Sequence, residues 1–438
     1  MDSGGVELLT QADTFAHAPR RLASHPALPL VLLGVVSLLS LGGRLLWIAT
    51  PSAPMFDERY YVNAARTILR LPVPATEHYA GATPGIDPNR EHPPLAKLAI
   101  AAGIRIFGDG PLGWRAGGVA FGSAGILALY WLVRSARGSP WTALGAATLM
   151  ATESLFFVHG RLGTLDIFVV VLMMVGVGLY LRDRPALAGA VIGVAACTKL
   201  IGALALAVVV IHELLRLRET EDPPDVRGGS ALAPGRPLRR AAVCAAAAAV
   251  CYLGLLSVLD ARYTSFADPV AHTRYMLGYS SHLPAHPRAR PGFANAPTSK
   301  PLQWLVNEVP IRYYASPAAG GRRPGADVLF VGRMNPFVIF FALPVVALAG
   351  RDVLRRRDSV ATLVVAWTAG TFLPLLVISA DRGLSYIFYM LIVLPGVLIG
   401  IARFFRACRL PHWVVLGYAG AVAYGFWTLY PFRVRAGG

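Results

Sequence analysis

A pair of adjacent carboxylates, Asp57 and Glu58, follows the first long apolar run of this chain directly. They open a segment, ERYYVNAARTILR, whose apolar and polar faces alternate at helical spacing. Two chemistries fit that placement. Asp57 can cap the helix while Glu58 favours its positive end. Alternatively, Asp57 is a general base, kept ionised by the helix start.

Other reactive side chains are spread along the chain. His92 precedes two prolines that fix the start of a second short helix, PLAKLAIAAGIRIF, which carries Lys97. Arg115 stands at the start of a long apolar run, where it either snorkels or pairs with a phosphate. Glu153, Arg161 and Asp166 lie in or beside apolar runs. Ionisable groups there either pair with one another or carry function. Lys199 interrupts another apolar stretch, and Asp381-Arg382 sits in a short turn. Cys197, Cys244, Cys251 and Cys408 show neither a disulfide framework nor a metal spacing. No phosphate-cradling glycine loop is present, and no His/Asp/Glu cluster has metal-ligand spacing.

The elements that must position these groups are membrane helices. Of 438 residues, 55% are hydrophobic and only 15% charged. A soluble chain is about one quarter charged. The apolar residues come in blocks long enough to span a bilayer. The net charge of +17 reflects arginines between those blocks, as the positive-inside rule requires. Their scatter argues against nucleic-acid binding.

The blocks predict an all-α polytopic membrane protein, one domain over residues 1–438. Residues 1–29 lack a cleavage site after a short core, which predicts a retained first span, about 30–49. Further spans are expected over 113–133, 141–158, 163–181, 241–259, 337–349, 360–379, 384–404 and 413–429. Residues 185–215 are flanked by Arg182 and Arg184 on one side and by Arg216 and Arg218 on the other. Both clusters read as cytoplasmic, so this stretch must cross twice, with Lys199 at the outer turn. The result is about eleven helices, with the N-terminus cytoplasmic. A cytoplasmic linker covers 217–240. Two large outer loops follow, 50–112 with interfacial helices and 260–335.

Five segments, in order, resemble the bacterial branch of the protein O-mannosyltransferase family, which is GT-C-like: PMFDERYYVNAA, EHPPLAKLAIAAGIRIFG, LGWRAGGVAFG, FVHGRLGTLDIF and TKLIG. Looser similarity lies in SKPLQWLVNEVPIRYY and RGLSYIFYMLIVLP. Ala96 departs from a usual glycine, and Leu200 and Leu302 from frequent tryptophans. The second outer loop is short for inserted sugar-binding repeats.

The resemblance implies a polyprenyl-phosphate-mannose donor, an exported protein acceptor and inverting transfer at the outer face of a bacterial plasma membrane. No cofactor and no metal are implied, because arginine and lysine neutralise a single phosphodiester. Asp57 is the expected base, and Glu58 orients the acceptor or shares that role. His92 and Asp166 face the pocket. Arg115, Arg161, Lys199 and Arg382 are candidates for the carrier phosphate. Lys97, Lys300 and Trp304 shape the pocket. A lipid, glycan or small-molecule acceptor is the alternative. A lipid-linked sugar transporter, the competing class, would show internal repeats and would not need an outer carboxylate pair. A non-catalytic envelope scaffold would survive loss of Asp57.

Overall fold

The computed structural model describes residues 26–220, 235–281, 298–316, 327–356, 358–381, 385–408 and 410–433. Helices dominate because apolar runs in lipid must satisfy every backbone group internally. They are α1 (Leu28–Leu45), α2 (Glu58–Ile68), α3 (Leu95–Phe107), α4 (Pro111–Ser135), α5 (Pro140–Ala151), α6 (Ser154–His159), α7 (Asp166–Leu181), α8 (Pro185–Thr198), α9 (Leu204–Thr220), α10 (Gly235–Tyr263) and α11 (Pro269–Ser281), then α12 (Pro301–Trp304). After strands β1 (Ile311–Ser316) and β2 (Asp327–Gly332) come α13 (Pro336–Ile339), α14 (Ala342–Arg356), α15 (Ser359–Asp381), α16 (Leu394–Ala407) and α17 (His412–Leu429), and β3 (Phe432–Arg433).

This is a multi-pass membrane protein. Among the described residues, six helical segments are long and apolar enough to cross: Leu28–Leu45, Pro111–Ser135, Leu200–Leu217, Pro237–Tyr263, Pro336–Arg355 and Ser359–Ala380. Asp166–Leu181 and Pro185–Thr198 are shorter apolar helices. Two expected spans are interrupted. The stretch from 141 to 158 breaks at Thr152 and Glu153, where the Glu153 side chain accepts from the Phe156 N–H and so starts α6 afresh. The stretch from 384 to 404 opens as a 3₁₀ segment, Ile387–Ile392, before α16. Residues 185–215 form two helices that meet at Lys199, where a 3₁₀ turn, Leu200–Ala203, leads into α9.

The expectation of a purely helical chain is amended by a three-stranded antiparallel sheet, ordered β1-β2-β3. Its sequences, IRYYAS and DVLFVG, are rich in β-branched and aromatic residues. Ile311, Tyr313 and Phe330 are buried, whereas Arg312 is exposed; a register shift between Arg312 and Tyr314 pairs Phe330 with Tyr314.

The segment between α1 and α4 is folded against the bundle. Most of α2 is buried, including Tyr61, Val62, Ala64, Ala65 and Ile68. The α3 helix packs on α2 and α4 and leaves Ile106 and Phe107 exposed at its end, as an interfacial helix does.

Candidate active site

Phe56 precedes the carboxylate pair with a left-handed φ of 50°. A bulky residue pays about 1–3 kcal/mol for such a conformation. Aromatic packing holds it: Phe56 stacks on Tyr313 at 4.2 Å and meets Phe388 edge-on at 5.8 Å. The turn sends the two carboxylates in different directions.

Glu58 is fully buried and saturated with donors. Arg115 grips it with Nε to Oε1 and Nη2 to Oε2, both 2.9 Å. The Gly163 N–H donates to Oε1 at 2.8 Å and the Met55 N–H to Oε2 at 3.1 Å. Gly163 can come this close because a Cβ there would lie 2.8 Å from the Trp114 carbonyl oxygen. Arg115 spends its other donors on the carbonyls of Ile48, Pro51 and Ala53. The pair is a clamp that fixes the segment between α1 and α2 to α4.

Asp57 stands at the start of α2 but makes no capping hydrogen bond through its side chain. It is partly accessible. Burial pushes its pKa up to about 7; nearby Lys199 opposes that shift, while Asp166 and Glu91 add to it. The expectation is a carboxylate kept ionised by a helix terminus; burial here opposes that ionisation.

Lys199, at the α8–α9 break, donates to Asp166 Oδ1 at 2.7 Å. Its ammonium lies 5.4 Å from the Phe388 ring centre and 5.5 Å from that of Tyr389. Asp166 is the first residue of α7. His159 ends α6, fully buried, with Nε2 2.8 Å from the Tyr313 hydroxyl and Nδ1 3.3 Å from Thr164 Oγ1. The site thus joins Asp57, Asp166, Lys199, His159 and Tyr313 from five separate segments. Glu91, His159, Tyr313, Phe388 and Tyr389 did not emerge from residue chemistry as site residues. Their only signal was the EHPP motif, the FVHGR segment that holds His159, and the looser RYY and IFYM similarity.

The other expected residues have definite places. His92 lies 6.0 Å from Tyr61, ring to ring, and burial, then Lys199 and Lys97, hold its pKa well below the usual value, so it is neutral. Lys97 is fully buried beneath it, paired with Asp87 at 2.6 Å and donating to the carbonyls of Asn89 (2.5 Å) and His92 (2.8 Å). It organises the loop that delivers His92. Arg161 donates to the carbonyls of Gly43, Leu46 and Trp47, so it caps the C-terminal end of α1. Lys300 donates to the Ser379 carbonyl at 2.6 Å. Trp304 is buried, donates to Ser299 Oγ at 2.8 Å and meets Tyr389 edge-on, which supports the ring beside Lys199. Arg382 lies outside the described residues.

A family model, dolichyl-phosphate-mannose-protein mannosyltransferase, matches residues 91–220. That stretch carries His92, Arg115, Arg161, Asp166 and Lys199. The chain resembles the protein mannosyltransferases. A polyprenol-phosphate-mannose–protein mannosyltransferase of Corynebacterium glutamicum is 34% identical over 136 residues, 30% of this chain but only a quarter (25%) of that relative. The enzyme of that name from Mycolicibacterium smegmatis is 25% identical over 439 residues, covering 84% of this chain and 80% of the relative. Among solved structures, the Saccharomyces cerevisiae protein O-mannosyltransferase Pmt1–Pmt2 complex bound to its sugar donor superposes with a TM-score of 0.68 at 11% identity, over 95% of this chain and 92% of that one. ArnT from Cupriavidus metallidurans, bound to undecaprenyl phosphate, gives 0.52 at 16% identity, over 92% of this chain and 63% of ArnT. The chain therefore shares the fold of these two structures.

Proposed function

We propose that this chain transfers mannose from polyprenyl-phosphate-mannose to Ser or Thr hydroxyls of exported proteins, with inversion, at the outer face of a bacterial plasma membrane. The observation that carries the reading is Asp57, uncapped and partly accessible, in the pocket that also holds the Lys199–Asp166 pair. In that pocket the acceptor oxygen bonds to the mannose anomeric carbon as the bond from that carbon to the phosphate oxygen breaks. The acceptor proton passes to Asp57. The electron pair leaves with the polyprenyl phosphate, whose growing negative charge the Lys199 ammonium meets. Phosphate leaves without a general acid.

Neutral His92 lies by the Tyr61 ring without adding charge. Glu58 and Arg115 hold the loop rather than the substrates, because their donors and acceptors are spent on each other and on backbone groups. The partly accessible Tyr389 beside Lys199 suits the face of a sugar ring.

The test supplies membranes containing the chain with polyprenyl-phosphate-mannose and a Ser/Thr/Pro/Ala-rich peptide. A hexose on the peptide supports the reading. An inert peptide beside a labelled lipid, glycan or small molecule replaces the acceptor but keeps the chemistry. No hexose transfer to anything, with intact donor, overturns the enzyme reading.

A further inference from the structure

At the end of the bundle away from Asp57, α5, α16 and α17 line an open groove of about 1090 Å³. It is as large as the largest usual small-molecule sites, about 300–1,000 Å³. Its walls are carved by small residues on facing helices, Gly145, Ala402, Ala419 and Ala423. A Cβ on Gly145 would already sit 3.3 Å from that of Ala402. From Trp141 to Thr152 along α5, and from His412 to Ala423 along α17, the groove runs about 16 Å at 1.5 Å per residue. That is roughly half the ~30 Å hydrocarbon thickness, the depth of one leaflet.

The two ends of the groove differ. Its inner end is closed by a polar knot: Asn335 donates through its side chain to the Val422 carbonyl at 2.9 Å, and through its backbone N–H to Glu153 at 2.9 Å. Its mouth is lined by Arg406, His412 and Trp141. Arg403, one turn away, is spent on Asp352 and Asp358, whereas Arg406 forms no ion pair among the described residues. The first turns of α5 and α17 line the same mouth, and Arg406 stands there in the last turn of α16, where its charge exceeds the partial negative charge of that helix end. Trp141 and the exposed Trp413 mark headgroup depth.

We propose that this groove is a binding site for a membrane phospholipid with an anionic headgroup. Its acyl chain fills the slot between α5, α16 and α17, and its phosphate pairs with Arg406 at the mouth. Basic pockets between membrane helices recognise such headgroups. The polyprenyl-phosphate donor is not the occupant. The first residue of α16 follows Phe388 and Tyr389, which lie against Lys199, so the groove mouth at the other end of this 14-residue helix is about 20 Å from the site. A phosphate at Arg406 lies in the opposite leaflet from one at Lys199.

The experiment uses the full chain in nanodiscs of equal phosphatidylglycerol and phosphatidylethanolamine, released into mild detergent and weighed by native mass spectrometry. One retained phosphatidylglycerol, in at least tenfold excess over phosphatidylethanolamine, is expected. Arg406→Gln, an exposed change that the fold tolerates, should abolish that preference, and Ala419→Phe should expel the lipid altogether. Equal retention of the two lipids, retention of none, a preference unchanged in Arg406→Gln, or polyprenyl phosphate as the retained species would each overturn the proposal.

Discussion

Glu58 and Arg115 face each other as a bidentate pair, two contacts of 2.9 Å, with essentially no solvent on either side chain. Between them they anchor the loop from Ile48 to Met55, the start of α2, α4 and the Gly163 turn. Removing one partner of a buried pair strands the other charge and costs about 3–5 kcal/mol. Arg115→Leu and Glu58→Gln should therefore lower Tm and activity together in purified protein. A variant with normal Tm but no transfer would show a direct chemical role instead.

Asp57→Asn is the opposite case. Its side chain caps nothing, so Tm should stay close to that of the parent. Transfer should fall about 100- to 10,000-fold, the usual worth of a general base. Paired thermal melts and turnover measurements read both quantities on one sample, and near-normal turnover would remove Asp57 from the chemistry.

The pH dependence has a definite sign. Asp57 is raised by burial to about 7. It is protonated and inactive as a base below that value and ionised above it, so kcat/KM should climb through about pH 7 to a plateau. Glu91 raises the same group. Glu91→Gln should move the midpoint to lower pH, and a midpoint that stays put would uncouple Glu91 from Asp57.

Lys199 acts on Asp57 with the reverse sign. Lys199→Met should shift the midpoint upward and also slow the reaction, since the leaving phosphate loses its cation. Lys199→Arg should recover part of the rate. A rate unchanged in Lys199→Met across the whole pH range would place the carrier phosphate elsewhere.

Residue chemistry carried the reading far for groups close in sequence to a recognisable boundary. The helical period of 58–70, the His92-Pro93-Pro94 start and the flanking arginines marked where chemistry could stand. What it missed was division of labour. Asp57 and Glu58 are neighbours with alike side chains, and only the left-handed turn at Phe56 separates an open base from a buried clamp. Arg161 looked like a phosphate ligand because a buried guanidinium was expected to seek charge. In the fold it caps the carbonyls that end α1 instead. Tyr313 was hidden for another reason. It reaches the pocket through a strand pairing between loop segments, and its partner His159 is 154 residues away. No local period encodes a contact of that separation. The short interrupted helices around Glu153 and Phe388 blurred the span count for a similar reason: side-chain caps and 3₁₀ turns end a helix without leaving a charge cluster behind.

The sheet over the pocket has a bearing on biosynthesis. Its third strand, Phe432–Arg433, pairs with Asp327 and Val328, and Pro431 accepts from the Leu329 N–H. These residues leave the ribosome after α17, the last of the helices described. Tyr313 can be locked against Phe56 early, but the layer behind it gains its outer edge only when every preceding helix has been made. The sheet that carries Tyr313 is thus completed by a strand that follows α17, and Asp57, His159 and Lys199 are already in the membrane before Asp327 and Val328 gain that neighbour.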